Sequence, residues 1–222
     1  SLSGDHLVYL EPRFLRPDIM FALAAQAKVS LELDQVCLAL GIINAVELPG
    51  KLMVNILPRN LLHIERLTHL LKPRSEIVFE LSESEGVGNP KLMSRIREYV
   101  SKLGCSIAAD DFGKGYASIE RVIKLRPEII KLDRSLVDGI HLDEAKRSFV
   151  EGIIKAAKVA NSVVLAEGVE KWEELKTVQE MGVELIQGFL LHKPQPLATI
   201  LNQIGEKEES KIIDADKLDS VA

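Results

Sequence analysis

Short runs of valine, isoleucine and leucine alternate along the chain with longer segments in which apolar residues recur every three or four positions. The first pattern is typical of buried strands and the second of amphipathic helices. The predicted strands are 6–11, 51–56, 76–81, 105–110, 128–133, 162–167 and 183–188. The predicted helices lie near 17–46, 58–71, 90–103, 117–124, 142–160 and 171–181.

This alternation predicts an α/β fold with parallel strands, because parallel neighbours need a crossover of a dozen or more residues between them. A closed, TIM-like barrel satisfies all the predicted strands in one domain, which we expect to span residues 1–204. Residues 205–222 are charged and weakly patterned, so we expect them to form a C-terminal tail or linker.

Every predicted strand ends in a polar side chain. In a barrel of parallel strands these ends meet at one face, around one axis. Carboxylates brought together in this way repel one another unless a cation lies among them. The residues concerned are Glu11, Asn55, Glu80, Asp110, Lys131 with Asp133, Glu167 and Gln187.

The ligand types indicate which cation this cluster would take. Carboxylate and amide oxygens without histidine or cysteine suit Mg²⁺, Mn²⁺ or Ca²⁺. Several shared carboxylates favour two ions, an arrangement used for in-line displacement at phosphorus. Asp110 would then bridge the ions and Asp111 would bind one of them; alternatively, Asp111 caps the next helix and Asp110 faces water. Lys131 and Asp133 are expected to share a face and to form a salt bridge inside the barrel mouth. In a metal-dependent hydrolase, Lys131 would also position the attacking water or neutralise charge that develops on the phosphoryl group.

Composition narrows the function further. The formal net charge is −5 and no long basic block occurs, which argues against a nucleic-acid polymer as the partner. Cys37 and Cys105 lack metal-ligand spacing and fit a reducing compartment. We find neither a membrane-spanning run nor a signal peptide, and therefore expect a cytoplasmic protein. The start at Ser1 suggests a piece of a longer protein with an upstream regulatory domain.

Seven short motifs follow one another along the chain: Glu11, Val54-Asn55, Glu80-Leu81-Ser82-Glu83, Asp110-Asp111-Phe112-Gly113, Lys131-Leu132-Asp133, Ala166-Glu167-Gly168-Val169-Glu170 and Gln187-Gly188. In their order and approximate spacing they resemble the EAL domain of bacterial cyclic-di-GMP phosphodiesterases over about residues 1–196. The resemblance implies a TIM-like (β/α)8 barrel with one reversed strand, hydrolysis of cyclic-di-GMP to linear pGpG with Mg²⁺ or Mn²⁺, and a homodimer.

The resemblance also implies a role for each of these residues. One metal ion would be bound by Glu11, Asn55, Glu80 and Asp110, and the second by Asp110, Asp111 and Glu167. Lys131 would hold the attacking water and Gln187 would support the site. Glu83 would anchor the loop 112–118, which couples the metal site to dimerisation in the family, while Glu170 and Asp133 would support the ligands.

The chain departs from the family pattern in three places. The signature tripeptide is Glu11-Pro12-Arg13 instead of Glu-Ala-Leu, and Leu15 stands where the family has a phosphate-binding arginine, so Arg13 or Arg16 would have to replace it. The stretch after Arg16 is shorter than usual, and Lys114 stands where the family commonly has threonine. The family's first strand is missing from this sequence.

Three functions are compatible with these residues. The first is a metal-dependent cyclic-di-GMP phosphodiesterase, which all the metal-ligand positions favour. The second is a non-catalytic module that binds cyclic-di-GMP as a sensor or docks a protein partner, which the altered Glu11-Pro12-Arg13 segment favours. The third is a barrel metalloenzyme that acts on another phosphate ester.

Overall fold

A single sheet of six parallel strands organises the chain in the computed structural model, which describes residues 16–71, 76–82, 90–113 and 119–204. Each strand pairs with the next one in sequence, so the order is β1-β2-β3-β4-β5-β6. The strands are β1 (Leu52–Asn55), β2 (Ile77–Leu81), β3 (Ser106–Phe112), β4 (Ile129–Leu132), β5 (Val163–Ala166) and β6 (Leu185–Ile186).

Helices connect the strands, as the alternating pattern predicts. They are α1 (Pro17–Gln26), α2 (Ser30–Asn44), α3 (Pro58–Leu61), α4 (Thr68–Leu71), α5 (Pro90–Leu103), α6 (Ile119–Leu125), α7 (Arg134–Val137), α8 (Glu144–Ala160) and α9 (Trp172–Glu180). Short 3₁₀ helices cover Glu65–Leu67 and Ile140–Leu142, and residues 197–204 are also helical.

The predicted helices differ from the observed ones mainly where the backbone turns. The single helix expected over 17–46 is two helices, because Lys28 adopts a left-handed conformation with φ of 60° and ends the first one. The helix expected over 58–71 is divided into α3, α4 and a 3₁₀ turn. Sequence periodicity missed α7, the 3₁₀ helix after it and the helix at 197–204, which are too short or too weakly amphipathic to show a clear repeat.

Two hydrophobic clusters cover the outer face of the sheet. One lies around β1, β2, α2 and α5, with Phe79 and Ile96 fully buried. The other lies around β4, β5, α8 and α9, with Leu132 and Val150 fully buried. A third, smaller cluster joins four strands through Val78, Ala108, Ile129 and Leu165, with Met53 against it. The helices therefore pack outside the sheet, as in a TIM-like fold.

The sheet confirms the TIM-like expectation in part. The six described strands form a half-barrel with β1 and β6 at the two ends of the order, and all of their pairings are parallel. The strand predicted at 6–11 lies outside the described residues, so an eight-stranded closure and a reversed strand remain predictions. Among the helices that the structure describes, none has the length and apolar character needed to cross a bilayer.

Candidate metal and active site

The candidate site is built on the inner face of the sheet, directly above its small apolar cluster. Successive side chains of a strand point to opposite faces, so a residue two positions further along shares the face of the first. Each inner apolar residue is followed two positions later by a polar one. The pairs are Met53 and Asn55, Val78 and Glu80, Ala108 and Asp110, Ile129 and Lys131, and Leu165 and Glu167.

Lys131 lies at the centre of three carboxylates from three other strands or strand ends. Its Nζ is 2.9 Å from Oε1 of Glu80, 2.9 Å from Oδ1 of Asp110 and 2.6 Å from Oε1 of Glu167. The lysine side chain is 4% exposed, and Glu80 is 8% exposed. The predicted convergence of these residues is therefore present, with one buried cation among three carboxylates.

The carboxylates keep this lysine charged. Burial alone would lower the pKa of Lys131, but the hydrogen bond with Glu167 and the charges of Glu80 and Asp110 raise that pKa above its usual range. Burial raises the pKa of Glu167, and the two neighbouring carboxylates add to the rise, while Lys131 opposes it. The negative charge of the cluster thus exceeds what one ammonium group offsets.

The adjacent pair Asp110 and Asp111 lies in an irregular part of β3. Ala109 pairs with Ile130 and Phe112 pairs with Leu132, so two residues of β3 stand opposite Lys131 alone. This is a β-bulge, and Asp111 has the left-handed φ of 57°. The amide N–H of Asp111 donates to Oδ1 of Asp110 at 3.0 Å. The bulge accounts for how two successive aspartates fit at the end of one strand.

Backbone hydrogen bonds continue past the strands and hold the site residues in place. The N–H of Ile56 donates to the carbonyl of Glu80 at 3.2 Å, and that of Glu167 donates to Leu132 at 3.1 Å. The N–H of Gln187 donates to Ala166 at 2.8 Å. The polar side chains therefore emerge from regular ladder positions rather than from free loops.

A cleft of about 530 Å³ opens beside the carboxylates. Three residues that the sequence analysis assigns to the site line this cleft, namely Glu167, Glu170 and Gln187. Sequence reasoning missed other residues of this wall, although each directly follows a recognised motif or lies a few positions beyond it: Arg134, Phe189, His192 and Lys193. A second cavity of about 230 Å³ is lined by Asn55 and Glu80.

The remaining predicted residues lie at different distances from this cluster. Asp133 follows β4 and begins α7, since its carboxylate accepts a hydrogen bond from the N–H of Ser135 at 2.9 Å. Glu170 pairs with Arg134 at 2.9 Å. Arg16 is exposed and pairs with Asp18 at 2.7 Å. Glu11, Arg13 and Glu83 are outside the described residues.

The structure also bears on metal binding. Within the described ranges, no three His, Cys, Asp or Glu side chains are arranged as a ready-made metal site. The ammonium group of Lys131 instead lies among Glu80, Asp110 and Glu167. The ammonium group thus lies between the carboxylates, whose oxygen atoms are of the ligand type that suits Mg²⁺ or Mn²⁺.

Comparison with known proteins decides the family. A model of the EAL domain matches residues 8–194. The chain belongs to the EAL domain family. This EAL chain is 36% identical over 135 residues to the cyclic di-GMP phosphodiesterase PdeF of Escherichia coli. The matched region covers 61% of this chain and 18% of PdeF.

Solved EAL structures share the fold. BlrP1 of Klebsiella pneumoniae, in a complex with manganese and cyclic di-GMP, superposes with a TM-score of 0.71 and 30% identity, over 78% of this chain and 47% of BlrP1. A standalone EAL protein of Vibrio cholerae, bound to cyclic di-GMP, gives a TM-score of 0.69 and 30% identity, over 80% of each chain. The EAL chain thus spans less than a quarter of PdeF and about half of BlrP1.

Proposed function

We propose that this chain is a metal-dependent phosphodiesterase that hydrolyses cyclic-di-GMP to linear pGpG. The observation that carries the proposal is the cluster of the buried Glu80 and the partly buried Asp110 and Glu167 within 2.9 Å of Lys131. It lies at the carboxyl ends of parallel strands, where barrel enzymes have their active sites, and beside a cleft of about 530 Å³. The names of the curated EAL relatives support the same substrate.

The donor set fits two Mg²⁺ or Mn²⁺ ions. Glu11, Asn55, Glu80 and Asp110 would hold one ion, and Asp110, Asp111 and Glu167 would hold the other. The five carboxylates of this set carry five negative charges and Lys131 one positive charge, which leaves −4 for two divalent ions to balance. Bound ions would polarise the phosphoryl oxygens and lower the pKa of a bound water.

Lys131 supplies positive charge inside the site. Because the carboxylates raise the pKa of Lys131, its ammonium group stays protonated and acts as a donor rather than as a base. We infer that it orients the attacking water and stabilises charge that develops on the phosphoryl group. Gln187, which lines the cleft with Glu167, would orient the same reactants through its amide.

The cleft has the groups that a dinucleotide needs. Phe189 offers a ring that is 54% exposed and against which a guanine base can stack. Arg134 and Lys193 supply positive charge for phosphate groups along the same wall. Arg13 or Arg16 would add a phosphate contact from the segment before α1.

We further propose the setting in which the domain works. Residues 1–204 would form the barrel domain and 205–222 a tail, with an upstream regulatory domain joined to it. A homodimer in the cytoplasm would suit an enzyme that removes an intracellular second messenger. The larger size of PdeF, of which this chain covers 18%, supports the expectation of further domains.

The direct test is to incubate the purified chain with cyclic-di-GMP and Mg²⁺ or Mn²⁺, and to follow pGpG by chromatography. We expect the wild type to form pGpG, and we expect no pGpG when EDTA is added. The Asp110→Asn variant should also form no pGpG, although its circular dichroism spectrum should show that it is folded. Binding of cyclic-di-GMP without turnover would instead favour the sensor, for which the Glu11-Pro12-Arg13 departure argues. Faster turnover of another phosphodiester in competition would move the assignment to a different substrate.

A further inference from the structure

Glu174 is a buried carboxylate that lies outside the cluster around Lys131. It belongs to the first turn of α9 and is 1% exposed. Its neighbour Glu173 is exposed, so the two adjacent glutamates of this turn have opposite surroundings. A buried carboxylate is costly unless hydrogen-bond donors surround it, which raises the question of what Glu174 holds together.

The two oxygens of Glu174 accept hydrogen bonds from different parts of the chain. Oε2 accepts from the backbone N–H groups of Glu170 at 3.2 Å and Lys171 at 3.1 Å. Oε1 accepts from the backbone N–H of Gly139 at 3.0 Å and from Nζ of Lys171 at 3.0 Å. The bonds of Oε2 close the start of α9, as a helix cap does. The bond to Gly139 is not needed for that cap, because it reaches the turn that follows α7.

The two segments that Glu174 joins are continuations of β4 and β5. The first follows Lys131 and runs through α7 to Gly139, and the second begins at Glu167 and runs to α9. They pack closely, since a Cβ added at Gly168 would lie 2.7 Å from the side chain of Arg134. Arg134 also pairs with Glu170 at 2.9 Å.

The segment after β6 is tied to the same unit. The N–H of Val169 donates to the carbonyl of Gln187 at 3.2 Å, and the N–H of Leu190 donates to the carbonyl of Val169 at 3.1 Å. Gly188 is close enough to this backbone that a Cβ there would lie 2.0 Å from the carbonyl oxygen of Val169. A displacement of the segment 167–171 would therefore also displace Gln187.

We propose that Glu174 is a positioning residue of the active site. By joining the Gly139 turn to the segment 167–171, it fixes the carboxylate of Glu167 relative to Lys131, and through Val169 it fixes Gln187. This inference rests on the proposed phosphodiesterase function, because it assigns Glu174 to the alignment of the metal ligand Glu167. It extends the functional set to a side chain that touches neither substrate nor metal.

The test compares Glu174→Gln with Glu173→Gln. Both variants remove one charge from the same helical turn, but only the first removes an accepting oxygen from the buried bonds. The glutamine retains one acceptor, so it loses either the Gly139 bond or the cap. We expect the Mn²⁺ affinity, measured by electron paramagnetic resonance, and kcat to fall about tenfold or more in Glu174→Gln. KM for cyclic-di-GMP should change less, and Glu173→Gln should match the wild type.

A purely structural role predicts a different result. Lower stability alone reduces the folded fraction without changing the Mn²⁺ affinity of the protein that remains folded, so Mn²⁺ affinity and kcat at wild-type values in folded Glu174→Gln would overturn the proposal. Amide hydrogen exchange gives a readout that does not need activity. We expect faster exchange at Gly139, in the segment 167–171, or in both in Glu174→Gln, and in neither place in Glu173→Gln.

This exchange measurement also separates the two proposals. A wild-type protein that neither binds Mn²⁺ nor hydrolyses cyclic-di-GMP would refute the proposed function. Faster exchange of Glu174→Gln at Gly139 or in the segment 167–171 would in that case still support the positioning of Glu167 by Glu174. Unchanged exchange both at Gly139 and throughout the segment 167–171 would overturn the positioning role, whatever the activity of the wild type.

Discussion

The carboxyl ends of the strands around Lys131, which form the mouth of the sheet, and the start of α9 surround their carboxylates in opposite ways. At the mouth, Glu80, Asp110 and Glu167 share the single ammonium group of Lys131. At the start of α9, Glu174 alone accepts from three backbone N–H groups and a lysine. Around Lys131, three carboxylates share one positive charge. At the start of α9, both oxygens of one carboxylate accept two hydrogen bonds each.

The pKa values of the two regions follow from this difference. Burial and the neighbouring carboxylates raise the pKa of Glu167 at the mouth. Burial also acts to raise the pKa of Glu174, but the donors around it outweigh burial and lower that pKa to about 2. A carboxylate with excess neighbours of like charge is suited to bind an added cation, whereas a carboxylate saturated with N–H donors is suited to fix the backbone.

The largest expected effect comes from removing Lys131, the cation that the described residues place at the mouth. Lys131→Met removes the ammonium group that the buried Glu80 shares with the partly buried Asp110 and Glu167, so we expect turnover to fall to background. The free energy of unfolding in EDTA should fall by about 3–5 kcal/mol. Added Mn²⁺ should restore part of that stability, because it binds the folded state. Urea unfolding with and without Mn²⁺ measures both effects.

A matched control for this variant is Lys176→Met on α9. Lys176 is exposed and lies 3.8 Å from Glu180, so its loss should hardly change unfolding. If Lys131→Met were as stable as this control in EDTA, the carboxylates would not depend on Lys131, and the contrast between the two regions would be wrong.

The next effect is the pH dependence that Glu174 gives to stability. Its pKa in the folded protein is about 2, below the ordinary value of 4.5, so its contribution is fully present above pH 4.5 and is lost as the pH falls towards 2. This contribution is about 3 kcal/mol. The free energy of unfolding of Glu174→Gln should lack that part of the acid loss. Parallel pH profiles of the wild type and the variant would refute this assignment.

A smaller effect is expected in the cleft. Phe189→Ala removes the exposed ring proposed to stack on guanine, and we expect KM for cyclic-di-GMP to rise about tenfold with kcat little changed. Phe149→Ala is the control, since this ring on α8 is 55% exposed, about as much as Phe189, and lies outside the cleft. An equal rise in KM for both variants would remove Phe189 from substrate binding.

The smallest effect should come from Lys171→Met. Lys171 donates to Glu174 and to Asp138, but its side chain is 51% exposed. The backbone N–H groups of Gly139, Glu170 and Lys171 stay in place in this variant. Its melting temperature and its kcat should therefore remain close to those of the wild type. Losses as large as those of Glu174→Gln would show that the lysine, and not the backbone, stabilises the buried carboxylate.

Much of the site could be predicted because it depends on strand ends. The polar residues that close the runs around Glu80, Asp110 and Glu167 are visible in the sequence, and parallel strands bring such ends together. Which of them touch Lys131 depends on strand register and on the bulge in β3, and neither shows in a hydrophobic pattern. The strand ends were also approximate, since Asp133 starts α7 instead of ending β4.

Other features depend on contacts between distant segments. Glu173 and Glu174 are the same residue type in adjacent positions, and no local signal indicates that only the second one reaches Gly139. The end of α1 was missed for a related reason, because lysine gives no warning of the left-handed conformation that Lys28 adopts. Such conformations are decided by tertiary packing, which a single sequence does not display.

The two-residue spacing between the inner apolar residue and the polar residue makes the site depend on the number of residues in each strand. In five strands, from Met53 and Asn55 to Leu165 and Glu167, the polar side chain and the inner apolar side chain lie on the same face of the sheet. A one-residue deletion within β2 would turn Phe79 to the inner face of the sheet and Glu80 to the outer core. The site can thus change by substitution, while changes in length are confined to the connecting loops.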